Sequence, residues 1–136
     1  MSYNPKFDKD LKFGEAGENW IVWLGSQDQA KVEVKTERDI WAKTGNIVFE
    51  YSCRGKPSGI AKTEADWWIQ LLSKEDKIVH GFIWNVGDLR TFLRDVYKKP
   101  SNYGAKVVNG GDDNASSMIV VPIKQLYSFQ TKSTKT

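Results

Sequence analysis

The run Lys31-Val32-Glu33-Val34-Lys35-Thr36-Glu37-Arg38-Asp39 and, one short connection later, Asn46-Ile47-Val48-Phe49-Glu50-Tyr51-Ser52 carry the same signature of extended chain. In the first, Val32 and Val34 alternate with Glu33, Lys35 and Glu37, a period of two that predicts a half-buried strand. In the second, Ile47, Phe49 and Tyr51 fall on one face and Val48, Glu50 and Ser52 on the other. Thr44-Gly45-Asn46 between them supplies turn chemistry, so the pair is expected to form an antiparallel hairpin.

That hairpin gathers Glu33, Lys35, Glu37, Asp39 and Glu50 on one side. Converging carboxylates repel one another unless a cation sits among them, and hard oxygen ligands suit Mg²⁺ or Mn²⁺ better than zinc. The plainer alternative is a solvated strand face whose Glu and Lys alternate for solubility.

Glu33-Val-Lys35 and the run Thr44-Gly-Asn-Ile-Val-Phe-Glu50, followed by Gly55-Lys-Pro-Ser-Gly-Ile60 and Thr63-Glu-Ala-Asp-Trp67, resemble the PD-(D/E)XK nuclease superfamily. Within it the chain is similar to small phage-encoded members related to Holliday junction resolvases, over roughly residues 10 to 97. The resemblance implies a restriction endonuclease-like core, a Mg²⁺ (or Mn²⁺) cofactor and carboxylates in the metal site. If Glu33-Val-Lys35 is the family's ExK, no well-spaced Asp precedes it. Alternatively the first acid is Glu33 or Asp39 and the second is Glu50, 17 or 11 residues further on. Ser52 then stands where the lysine is expected, and Lys35 supplies the ammonium from the neighbouring strand. The second arrangement is favoured, giving Glu33, Lys35, Asp39 and Glu50 as catalytic candidates, with Asp39 preferred over Glu37, whose position two residues before the turn is equally possible.

Composition sets the outer bounds. A chain of 136 residues fits one domain, and 40% hydrophobic content with six tryptophans excludes a disordered protein. One cysteine, Cys53, excludes an internal disulfide and a cysteine zinc site, which points to a reducing cytoplasm. No apolar run approaches the ~20 residues of a membrane span, and the N-terminus lacks the apolar stretch of a signal peptide. A net charge of +3 permits a local nucleic-acid-binding patch without requiring one.

Residues 7 to 24 have apolar positions at helical spacing, and Glu18 falls in the middle of that stripe. A buried carboxylate needs a partner or a metal. The family's first helix often supplies such a glutamate, which makes Glu18 a metal-ligand candidate. Arg54, Lys56, Ser58 and Lys62, in and after a Pro-Ser-Gly turn, are candidates for phosphate contact.

Thr63 with Asp66 resembles a capping box, predicting a core helix to about Leu72 with Ala65, Trp68, Ile69 and Leu72 on its buried stripe. Residues 77 to 86 read as a strand with Gly81 as a candidate bulge, and His80, the only histidine, as structural. Asp88 opens a helix whose Leu89, Phe92, Leu93 and Val96 form one face and whose Arg90, Arg94 and Lys98 form a separate ridge. Ala105 to Val108 and Met118 to Ile123 read as a terminal hairpin, with Pro122 marking an edge strand. Residues 130 to 136 have the composition of a polar tail.

The expected fold is a single α/β domain, residues 1–129, with a mixed central sheet flanked by helices. The expected function is a Mg²⁺-dependent DNA endonuclease or resolvase in phage DNA processing or recombination; a junction resolvase would act on branched DNA with two active sites, hence as a homodimer. The competing expectation is a nuclease-fold module that has lost catalysis and binds nucleic acid or a host protein.

Overall fold

Alternation does produce a strand at the first run: in the computed structural model, which describes residues 30–133, β1 spans Val32–Arg38. A five-residue helix follows, α1 (Ile40–Thr44), and then β2 (Asn46–Cys53), β3 (Lys56–Pro57) and a 3₁₀ turn at Gly59–Ala61. Two longer strands, β4 (Trp67–Lys74) and β5 (Lys77–Asn85), lead into α2 (Val86–Lys98). The chain closes with β6 (Lys106–Gly110), β7 (Ser116–Pro122) and α3 (Ile123–Ser133), so α3 extends into the segment read as a tail. The helix expected over residues 7 to 24, with Glu18, lies outside the described residues.

The strands form two sheets, one mixed and one antiparallel, instead of one central sheet. The mixed sheet has the order β1-β4-β5, with β1 parallel to β4 and β4 antiparallel to β5; the other runs β3-β2-β7-β6. Thus β1 and β2 are not the two arms of a hairpin. Thr44-Gly45-Asn46 ends a helix: Gly45 adopts φ 73° and its N–H donates to Trp41 O at 2.8 Å, a left-handed C-terminal cap. The helix turn sets β1 and β2 into separate sheets.

The predicted helix from Thr63 is corrected to β4. Trp67-Trp68-Ile69-Gln70-Leu71-Leu72 is a short continuous apolar run, a pattern shared by buried strands and buried helices. It sits between two neighbours, and the pattern matches burial on both faces: Trp68, Leu72 and Ile69 are all buried. The capping signal has another use, because Asp66 Oδ2 accepts from Lys31 N at 2.9 Å and locks the start of β1 to the start of β4.

Three smaller readings also change. The irregularity in β5 leaves Val79 unpaired, while Gly81 pairs regularly with Leu71. β7 is an inner strand; Pro122 is tolerated as its last residue, beyond the reach of β6, which stops opposite Val120. The helix after β5 begins at Val86, capped by Asn85, whose side chain accepts from Asp88 N at 3.2 Å.

Both sheets share one core with the helices. Phe49 from β2 meets Trp68 and Trp84 at centroid separations of 6.4 and 6.1 Å, and Leu89, Leu93, Val96 and Leu126 complete the cluster. The result is a small α/β domain whose two sheets join at their hydrophobic side and part at their polar one.

Candidate functional site

Where the sheets part, the charged face of β1 looks inward. Glu33, Lys35 and Glu37 are in register with Trp68, Gln70 and Leu72 of β4, so they share the face that carries the core. Val34, on the opposite face, is 44% exposed. The alternation was legible in the sequence, but the side assigned to the core is reversed: the acids and the lysine point between the sheets.

Between β1, β2 and the segment after the 3₁₀ turn lies a cleft of about 650 Å³. Glu33, Lys35 and Glu37 line one wall, Val48 and Glu50 the other, and Lys62, Thr63 and Glu64 the rim. Gln70 and Trp68 form part of the floor. Residues far apart in the chain therefore meet in one opening.

Several of these side chains are placed by identifiable contacts. Glu37 Oε1 accepts from Val48 N at 3.0 Å, tying β1 to the unpaired edge of β2, and Gln70 Nε2 approaches the same oxygen at 3.5 Å. Gln70 is itself 2% exposed and accepts from Trp68 Nε1 at 2.8 Å, so its amide is fixed. Burial raises the Glu37 carboxyl above the ordinary carboxylate range, against the opposing effect of the Val48 N–H, which favours the charged form. Burial of an acid inside a cleft makes Glu37 a functional-site candidate.

Lys35 Nζ lies 3.8 Å from Glu33 Oε1, with the two side chains 51% and 37% exposed. An ion pair this open contributes little to stability. Both groups remain accessible to something entering the cleft.

Glu50 is set by a bulge. Pairing with β7 shifts between Glu50 and Ser52, leaving Tyr51 as the additional residue, which bends the strand and re-aims its side chains. Gly59 then packs against it: with φ 51°, a Cβ there would collide with the Glu50 carbonyl oxygen. Arg90 holds the same turn from behind, donating from Nε to Ile60 O at 2.9 Å and from Nη2 to Thr63 O at 2.6 Å.

Of the predicted site residues, the structure brings Glu33, Lys35, Glu50 and Lys62 together. Asp39 is elsewhere. It lies past the end of β1, where its Oδ1 accepts from Glu75 N at 2.8 Å and organises the β4–β5 turn. Arg54 and Lys56 belong to a tight β2–β3 hairpin and are exposed outside the cleft lining. Ser58 Oγ is buried without a hydrogen-bond partner among the described residues. Glu37, two residues from Lys35 on the same strand face and as open a choice as Asp39 on spacing alone, is the acid of the two that lines the cleft.

Among the described residues no three His, Cys, Asp or Glu side chains come together as a metal-holding group. Glu33, Glu37 and Glu50 offer the cleft oxygen donors, the type Mg²⁺ and Mn²⁺ take, those ions commonly using one or two carboxylates with waters and substrate phosphates completing the shell. These donors do not match a closed, all-protein cage. No described helix is long and apolar enough to cross a membrane. Comparison with protein families, curated proteins and solved structures finds no match to this chain.

Proposed function

We propose that the chain is a metal-dependent phosphodiester hydrolase acting on DNA, with the cleft between β1 and β2 as its site and a restriction endonuclease-like core. One observation carries this reading: Glu33, Lys35, Glu37, Glu50 and Lys62 line a single opening of about 650 Å³. The resemblance of Glu33-Val-Lys35 and the segments after it to the PD-(D/E)XK superfamily supports the same chemistry.

Glu33 and Glu50, on opposite walls, would hold the divalent ion, which supplies charge neutralisation at the scissile phosphate and activates the attacking water. Lys35, beside Glu33, places an ammonium where negative charge grows on the phosphoryl oxygens. Glu37, whose carboxyl burial raises above the ordinary carboxylate range, is suited to exchange a proton with a group in the cleft. Lys62 at the rim contacts a flanking phosphate. A branched substrate needs a cut on each of two strands, which calls for two such sites and hence a homodimer. Processing of phage DNA in a host cytoplasm is the setting that the resemblance implies.

The test is cleavage of supercoiled, linear, single-stranded and branched DNA with and without Mg²⁺. Glu50→Gln and Lys35→Met are each expected to lower the rate by about 100-fold or more, whereas Asp39→Asn stays within about threefold because Asp39 lies outside the cleft. Absence of cleavage on every substrate, together with salt-sensitive DNA binding, identifies the module that binds without cutting.

A further inference from the structure

Glu50 and the bulged Tyr51 next to it serve two different cavities. Glu50 lines the cleft, while Tyr51 lines a second groove, of about 530 Å³, between β2, β7, the Gly59–Ala61 turn and α2. The 3₁₀ turn is the ridge between them: Gly59 and Lys62 border the cleft, Ile60 and Ala61 the groove.

The groove has a specific character. Tyr51 and Tyr97 meet edge to face at a centroid separation of 5.6 Å, and Tyr97 is 52% exposed, which is high for an aromatic ring. Ile60 and Leu93 form the apolar base. Arg94 and Lys98, one helical turn apart on α2, stand exposed at its rim, and among the described residues no acidic side chain lines it. Arg90 is already engaged with the turn's carbonyls. An apolar floor, an exposed ring and two exposed cations at the rim complement a ligand that is aromatic and anionic at once.

We propose that this groove binds an unpaired nucleic-acid strand, stacking a base on Tyr97 beside Tyr51 and taking the adjoining phosphates on Arg94 and Lys98. The choice of nucleic acid rests on the reading of the neighbouring cleft as a phosphodiester site. A strand leaving the cleft past Lys62 crosses the 3₁₀ ridge directly into the groove. Base stacking on an aromatic side chain is sequence-tolerant and strong enough to fix the strand's position, and the interior of a duplex offers no free base face to it.

The test uses the full chain, fluorescently labelled oligothymidine and EDTA, so that binding is read without cleavage. Tyr97→Ala should weaken binding about tenfold and Tyr97→Phe should retain it, since stacking needs the ring and not the hydroxyl. Arg94→Gln combined with Lys98→Gln should weaken binding and reduce the slope of log K against log salt by about 1.4, at roughly 0.7 per phosphate contact. Blunt duplex of equal charge should respond little to Tyr97→Ala. The proposal is overturned if Tyr97→Ala binds oligothymidine as wild type does, or if polyglutamate displaces the oligonucleotide equally well from wild type and Tyr97→Ala. Circular dichroism confirms that these surface variants remain folded. Loss of groove binding leaves the cleavage result standing, and absence of cleavage with groove binding intact overturns only the hydrolase reading.

Discussion

Glu37 and Asp39 show how two acids two residues apart acquire different work. Glu37 is inside the sheet interface, where burial raises its carboxyl. A carboxyl whose folded value lies above its unfolded one binds more protons in the folded state, so stability falls as pH rises from the ordinary carboxylate range through the raised value, then levels. Glu37→Gln keeps an acceptor for Val48 N and removes the charge. It should flatten that decline and melt higher than wild type at about pH 8, measured by thermal unfolding between about pH 4 and about pH 8. Asp39→Ala should instead cost about 0.5–1.5 kcal/mol in urea unfolding by orphaning Glu75 N, with cleavage preserved. Gly59→Ala meets both a positive φ and the Glu50 carbonyl; it should lose about 1–3 kcal/mol and disturb the wall that carries Glu50.

Among the elements, β4 is decisive, and it was the one the sequence concealed. Thr63 and Asp66 imitate a helix start, and a run that is apolar at nearly every position fits a helix stripe as readily as a strand buried on two faces. What settles it is non-local: Asp66 and Trp67 pair with Lys31, a partner 35 residues away in the case of Asp66. By contrast β1, β2, β5, α2 and the β6–β7 hairpin were legible, because alternation or a strict i, i+3, i+4, i+7 face is local information. The pairing of β1 was hidden for the same reason as β4, and the bulge at Tyr51 leaves no mark in a pattern of side chains. Leu72, 1% exposed on β4 in the shared core, tests the assignment: Leu72→Ala should cost about 2–5 kcal/mol in chemical denaturation. A change below about 1 kcal/mol would contradict a core strand there.

At the scale of the whole molecule, one hydrophobic cluster joins two sheets, and the polar residues left over at their junction form the cleft. The sequence showed which residue types would converge, through Glu33, Lys35 and Glu50, but not that the sheets divide between them. Their meeting depends on Glu37 bridging to Val48 at one end and on the Gly59 turn closing against β2 at the other. The central claim is that this cleft holds a divalent ion against a phosphodiester. Paramagnetic Mn²⁺ titrated into isotopically labelled protein tests it most directly, since the ion broadens resonances in its immediate vicinity. The account predicts early and selective broadening of Glu33, Lys35, Val48, Glu50 and Lys62, abolished in the Glu33→Gln Glu50→Gln double variant and absent around Glu75. Broadening centred instead on the Asp112–Asn114 loop, or unchanged in the double variant, would contradict it.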